Sequence, residues 1–412
     1  MTMPDNRGAE DVGAIQEASP GSEWIAYVGP FTFPWGQPGS RRVLGIARSL
    51  ALAGRRVVVA SGENRPVIAK LDGVEGSGSI QYLGIGELPG GRTNRLTRSV
   101  RSLISQGRRT VRWLESQPSR PSHVIVYGGY ASYMFHLQPW CRRNGVPLIA
   151  DVVEWYDPAH LRGGPLGPLR MSSELAMRHY YPKCDGVIAI STFLEDFYRG
   201  RGVRTIRIPP TLDVHEIRLD PPVRAVTPGV TLVYFGSPGK KDLLATMVRA
   251  VGRLEDEGAA LEFRIHGPTR QQVHALLGGD ELPRNVVVAG RLPQHEVPHA
   301  VQAADFSVIL RRPERFAQAG FPTKFCESLA NGTPVIANLT SDLGKHLRHG
   351  VEGVVVDGDS LDAIVEALRV AVKLSPEQRL EMRRAARQRA LDSFDYRPYA
   401  GDLARFTDAV RR

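Results

Sequence analysis

The chain has 412 residues, of which 42% are apolar and 23% charged, which suits two or three packed globular domains. Lys and Arg number 53 against 43 Asp and Glu, a formal charge of +10. No apolar run approaches the roughly 18 residues of a membrane span. Cys141, Cys184 and Cys326 lie far apart without CxxC spacing. A disulfide framework or cysteine zinc site is therefore not expected, and a reducing cytoplasm fits.

Residues 1–22 have no signal-peptide apolar stretch and read as a disordered tail. Short V/I/L-rich runs then alternate with helical patterns. The first series reads EWIAYVG (23–29), RVVVAS (56–61), SIQYLG (79–84), HVIVYG (123–128), PLIADV (147–152), GVIAIS (186–191) and TIRIPP (205–210). Helices are predicted at 40–53, 131–143, 168–182 and 192–199 among others. A Pro-bearing stretch from 209 to 229 is the best linker candidate. The series restarts with TLVYFG (231–236), LEFRIHG (261–267), NVVVAG (285–290), FSVIL (306–310), PVIAN (334–338) and VEGVVVD (351–357), and helical patterns close the chain. Strands this continuously apolar are covered on both faces. The fold class is α/β: two tandem Rossmann-like, doubly wound domains facing a cleft. The expected division is 23–212, a linker at 213–229, 230–394, and a final helical segment at 395–412 packing back on the first domain.

Between 91 and 120 stand eight arginines against one acid, Glu115. On a helical wheel Leu96, Val100, Leu103, Ile104, Val111 and Leu114 fall within an arc of about 100°. Arg95, Arg98, Arg101, Arg108, Arg109 and Arg112 cover the opposite side. This predicts an amphipathic helix with a basic outer face. The face is either simply solvated or turned toward anionic lipid or a phosphate-bearing acceptor. No aromatic interleaving or helix-turn-helix spacing supports nucleic acid as a partner.

Several loops have the composition of anion sites. Gly36, Gly39 and Ser40 precede a helix, where backbone N–H groups can approach a phosphate. GIGELPGG (84–91) begins like a dinucleotide fingerprint, but Pro89 stands at the third glycine, which argues against a nicotinamide site. HEVPH (295–299) matches a zinc-protease motif by letters only, because Pro298 cannot sit inside the required helical turn. In YFGSPGKKDL (234–243), Gly236, Ser237, Gly239, Lys240 and Lys241 form a strand–turn–lysine array suited to a diphosphate. In PTKFCES (322–328), Thr323 is placed to cap a helix whose first turn holds Lys324. Glu327 stands one position past a capping-box spacing and is free to meet sugar hydroxyls.

Taken in order, YFGS…KKD, RIHG, NVVVAGRLPQHEVP, AADFSVIL, PTKFCESLANGTPVIAN and GVEGVVV make the chain resemble the retaining GT-B glycosyltransferases of family 4. The resemblance implies glycosyl transfer from a nucleoside diphosphate sugar, with UDP or GDP as the donor nucleotide; no acidic DxD-like cluster stands out as a metal site and the lysines can do the work of a divalent cation, so no metal and no resident cofactor are expected. It implies a donor-binding second domain. There Gly236 and Lys241 would hold the diphosphate, Arg291 would border the nucleobase, Glu327 would bind the ribose, and Gly320, Phe321, Pro322 and Thr323 would meet the donor phosphate or sugar through their backbone. The Gly36–Ser40 loop would close on the diphosphate from the first domain. The acceptor would be a glycan, a lipid-linked glycan or a small molecule, and the setting cytoplasmic, peripheral on the membrane's inner face if the arginines touch lipid. Two departures stand out. Ala319 occupies the place of a glutamate eight residues before Glu327, with Glu314 as one substitute. ADVVEWYDP places Asp151, Glu154 and Asp157 where many members have a histidine, to position the acceptor or serve as a general base. The rival readings are an epimerase or phosphorylase of the same fold and a non-catalytic nucleotide-sugar binder.

Overall fold

The computed structural model describes residues 23–88, 105–156, 164, 167–219, 229–236 and 242–411. The first sheet is built from β1 (Trp24–Val28), β2 (Arg56–Ser61), β3 (Asn64–Lys70), β4 (Ser79–Ile85), β5 (His123–Tyr127), β6 (Leu148–Val152), β7 (Gly186–Ala189) and β8 (Thr205–Arg207). Its order is β3-β4-β2-β1-β5-β6-β7-β8, and every pair is parallel except β3 with β4. The helices of this half are α1 (Pro38–Leu52), α2 (Arg108–Glu115), α3 (Ala131–Asn144), α4 (Pro168–Leu175) and α5 (Thr192–Arg199). The second sheet, β9 (Val230–Phe235), β10 (Leu261–His266), β11 (Val286–Gly290), β12 (Phe306–Ile309), β13 (Val335–Asn338) and β14 (Gly353–Val356), is ordered β11-β10-β9-β12-β13-β14 and wholly parallel. It is flanked by α6 (Leu244–Asp256), α7 (Arg270–Leu276), α8 (Val297–Gln302), α9 (Arg315–Ala319), α10 (Thr323–Ala330), α11 (Leu361–Lys373) and α12 (Pro376–Ser393). The chain ends with α13 (Ala400–Ala409).

The strands read as unbroken apolar runs because both faces are covered. In β1, Trp24, Ala26 and Val28 join one buried cluster while Ile25 and Tyr27 join another on the opposite face. Leu403, Phe406 and Val410 pack into that second cluster with α1 residues, so α13 is part of the first domain's core. The two chain crossings between domains are pinned to each other. Leu212 N–H donates to Phe394 O at 2.9 Å, Tyr396 N–H to Leu212 O at 3.2 Å, and Val214 N–H to the Asp395 carboxylate at 3.0 Å. Asp213–Leu219, inside the expected linker, therefore follows a defined path; 220–228 lie outside the described residues.

Three expectations are corrected. Asn64–Lys70 forms an antiparallel edge strand absent from the expected strand series; Pro66 lacks an N–H, which an edge tolerates. The helix expected over 168–182 is α helix only to Leu175, then a π turn at Ala176–Tyr180 and a 3-10 turn at Tyr181–Lys183 that contains Pro182. The arginine-rich segment is not one continuous helix. Gly107, at φ 92°, stands ahead of α2 in a conformation a right-handed helix cannot continue through. Arg95, Arg98 and Arg101 lie outside the described residues. Arg108, Arg109 and Arg112 are exposed on α2 while Thr110, Trp113 and Leu114 face inward.

Candidate active site

In a doubly wound sheet ligands bind beyond the carboxyl ends of the strands, where the strand order reverses. That point falls between β1 and β5 in the first sheet and between β9 and β12 in the second. A cavity of about 700 Å³ opens at the first, walled by Pro30, Phe31, Gly39, Tyr127, Tyr130, Asp151, Glu154, Tyr156 and Tyr181. Four tyrosines and Phe31 stand in its lining, and among the described residues Asp151 and Glu154 are its carboxylates.

These two acids differ in what surrounds them. Asp151, the penultimate residue of β6, is 2% exposed and accepts from Arg42 Nη2 at 2.9 Å and from the Tyr27 hydroxyl at 2.6 Å. Arg42 extends from α1 and also donates to Ile208 O and Pro209 O, both at 2.7 Å. Burial raises the Tyr27 hydroxyl pKa well above its usual value, and the Asp151 charge adds to this. An enclosed carboxylate in a bidentate pair has no free lone pair for substrate. The expectation of a base at Asp151 is thus corrected: it fixes α1 to β6 and to the chain leaving the first domain.

Glu154 has left the sheet and is half-buried. It is hydrogen-bonded to the Tyr156 hydroxyl, whose pKa is raised by burial and then by the Glu154 charge. Across the cleft, Arg311, just past β12, feels Glu154 together with Asp242; these charges oppose the burial that lowers its pKa. Glu154 thus lines the tyrosine-bearing cavity, and its charge is felt by a cation of the second domain. The loop that carries it is braced from that domain. Tyr156 stacks on Phe316 with ring centroids 5.7 Å apart, and the Arg315 and Arg178 guanidinium carbons each lie 4.9 Å from the Trp155 ring centroid. Glu174 closes the clasp, accepting from Trp155 Nε1 at 2.8 Å and Arg178 Nε at 2.7 Å. Burial opposes it, but these bonds and Arg315 hold the Glu174 carboxyl below the usual range. Asp157 lies outside the described residues.

The Gly36–Ser40 loop meets the cavity through Gly39, where a Cβ would approach the Tyr127 hydroxyl oxygen to 2.8 Å. Gly36 holds φ 112°. Ser40 is fully buried and donates to Thr32 O at 2.7 Å, so its side chain holds the loop, while its backbone N–H donates to Gln37 O at 3.0 Å.

On the second domain, Gly236 follows β9 directly with φ 118°, and a Cβ there would strike the Lys324 side chain. Lys324 Nζ lies 4.6 Å from the Tyr234 ring centroid. The structure thus brings Gly236 and Lys324 together, beside the turn that leads into Ser237, Lys240 and Lys241; those three lie outside the described residues. Arg291 is exposed just beyond β11. Pro322, not Thr323, occupies the cap position of α10, and no side chain caps it. Phe321 is 6% exposed with its ring against Phe325, Phe394 and His346, so it offers only backbone to the cleft. Ala319 is fully buried and its carbonyl accepts from Ser191 Oγ at 2.6 Å, while Glu314 stands at the start of α9. Glu327 projects from α10 and pairs with Arg41 of the first domain.

Two family models match, one on each domain: "Glycosyl transferase 4-like domain" over 39–211 and "Glycosyl transferases group 1" over 225–389. The chain belongs to the family 4 glycosyltransferases of GT-B fold. The enzyme is 25% identical over 303 residues to a GDP-mannose-dependent alpha-(1-6)-phosphatidylinositol monomannoside mannosyltransferase of Mycolicibacterium smegmatis, covering 69% of this chain and 76% of that one. It is 28% identical over 222 residues to the protein of the same name from Mycobacterium tuberculosis, covering 50% of this chain and 56% of that one. Its fold matches sucrose-phosphate synthase from Thermosynechococcus elongatus with TM-score 0.71 at 15% identity, covering 94% and 99% of the two chains. It also matches Anabaena HepE in complex with UDP and glucose with TM-score 0.64 at 14% identity, covering 94% and 100%.

Arg41, Arg42, the cavity tyrosines, Arg311 and Arg315 were not singled out from sequence. The strand-end position of Tyr127 and the paired arginines after Ser40 were the available signals. Among the described residues no helix is long and apolar enough to cross a membrane, and no group of three or more His, Cys, Asp or Glu could hold a metal ion.

Proposed function

We propose that this glycosyltransferase moves a sugar from UDP or GDP to an acceptor hydroxyl held in the tyrosine-lined cavity, with retention of anomeric configuration and without a metal ion. The observation that carries the reading is Glu154, a half-buried carboxylate in the wall of that cavity. Its carboxylate accepts a hydrogen bond from the attacking hydroxyl and orients it toward the donor sugar. Lys241, Lys324 and the backbone around Gly236 and Gly320–Thr323 meet the diphosphate as its charge grows on departure. Such preorganised groups supply a large share of catalysis. Glu327 holds the ribose. Relatives named for GDP-mannose and a neighbour bound to UDP support a nucleoside diphosphate donor.

A thermal-shift panel of UDP-, GDP-, TDP- and ADP-sugars tests the donor, because a ligand that binds only the folded state raises its melting temperature. One class is expected to stabilise the protein; no shift with any of them overturns the reading. Turnover without an acceptor would instead favour an epimerase, and dependence on inorganic phosphate a phosphorylase. Lys241→Ala is expected to lower kcat/KM by about a hundredfold, as loss of one charge-stabilising group does. The basic face of α2, with Arg108, Arg109 and Arg112 exposed, suits an anionic membrane carrying a lipid-linked acceptor. Sedimentation with anionic but not neutral liposomes is the expected result.

A further inference from the structure

The cleft contains an ion pair that the proposed chemistry does not use. Arg41, the fourth residue of α1, donates through Nη1 to the Glu327 carboxylate, the fifth residue of α10 in the other domain. Its neighbour Arg42 is buried and committed to Asp151 and two carbonyls, whereas the Arg41 side chain is 40% exposed and that of Glu327 28%. The two consecutive arginines therefore have different fates. One is locked in the fold; the other reaches across solvent to the carboxylate assigned above to the donor ribose.

We propose that Arg41 is a displaceable plug that makes the donor pocket selective for an anionic nucleotide. The inference rests on the donor reading. With the cleft empty, Arg41 satisfies Glu327, so a ribose must break a charge-assisted bond to gain that carboxylate. A neutral nucleoside offers the released guanidinium nothing in return. A nucleoside diphosphate offers phosphoryl oxygens, which a guanidinium can meet through two parallel N–H bonds. The plug thus penalises ligands without phosphate and is recruited by those with it. Lys324 is less suited to the part, since it is directed toward Tyr234 and the β9 turn. Exposed ion pairs are individually weak, so the exchange remains easily reversible.

Calorimetric titration of the full chain with UDP, uridine, GDP and guanosine tests this on wild type, Arg41→Ala and Arg41→Gln. For the base that binds, wild type is expected to prefer the diphosphate strongly. Either substitution is expected to weaken diphosphate binding about tenfold or more, in line with loss of a charge-assisted contact. Nucleoside binding should be unchanged or several-fold tighter, so the selectivity ratio narrows. Parallel weakening of both ligands, or an unchanged ratio, overturns the plug while leaving the donor reading intact. Wild type that binds neither diphosphate overturns both. An unchanged melting temperature in the two variants separates these outcomes from misfolding.

Discussion

The wall of the cleft built by the first domain and the wall built by the second are finished to different degrees. On the first, the strand ends and the aromatic cavity are set by buried contacts, and the Asp151–Arg42–Tyr27 group is enclosed. On the second, the candidate donor elements are turns at Gly236 and Gly320–Thr323, and the charges sit on long side chains: Lys324 lies over the Tyr234 ring and the partly exposed Glu327 pairs with Arg41. The difference shows that a charged side chain's role depends on whether its hydrogen-bonding capacity is already used. Asp151 and Glu154 are three residues apart and both line the cavity, yet Asp151 is enclosed by Arg42 and Tyr27 whereas Glu154 is half-buried beside the Tyr156 hydroxyl.

The strongest way to break this contrast is to remove Arg42. Arg42→Met strands a buried carboxylate and is expected to cost about 3–5 kcal/mol in a urea denaturation. Glu154→Gln should leave stability within about 0.5 kcal/mol and lower kcat by roughly 10²–10³. Equal losses of stability in the two variants would erase the distinction. On the second wall, Glu327→Ala is expected to weaken donor binding about tenfold with little change in melting temperature. A large loss of stability would move Glu327 to the architectural side.

The smallest expected effect lies behind that wall. His346 packs against Phe394 at 4.8 Å and Phe321 at 5.9 Å between ring centroids, and neither ring nitrogen has a hydrogen-bond partner among the described residues. Burial, with Arg389 next, then Arg207 and Lys345, pushes its pKa down to about 4 against the pull of Asp342. Above pH 6.5 the ring is neutral in both folded and unfolded chains. Between pH 6.5 and about 4 the unfolded chain takes up a proton that the folded one refuses, so stability falls with acidity. The slope from this group is at most about 1.4 kcal/mol per pH unit. His346→Phe should flatten the fall in melting temperature between pH 7 and 4.5, and identical slopes in the two proteins would refute the assignment.

How much could be read beforehand follows the same line. The strand series was legible because burial on both faces leaves long V/I/L runs. The antiparallel strand at Asn64–Lys70 was not, since an edge strand with polar residues and Pro66 has the composition of a loop. The break at Gly107 hid inside a good helical wheel, because periodicity does not register one left-handed residue. Glu327 and Glu154 were visible as acids in suggestive places. That Asp151 was different depended on Arg42, 109 residues earlier in the chain.

By itself the sequence determined two doubly wound sheets, their strands and the candidate ligand-facing turns, because periodic burial, glycine turns and helix starts are local properties of a chain. Only the tertiary structure decided which charges remain available. That outcome depends on partners brought together across the sheet and the cleft, as Arg42 is to Asp151 and Arg41 to Glu327, and a side chain's free lone pairs are settled by what folds against it.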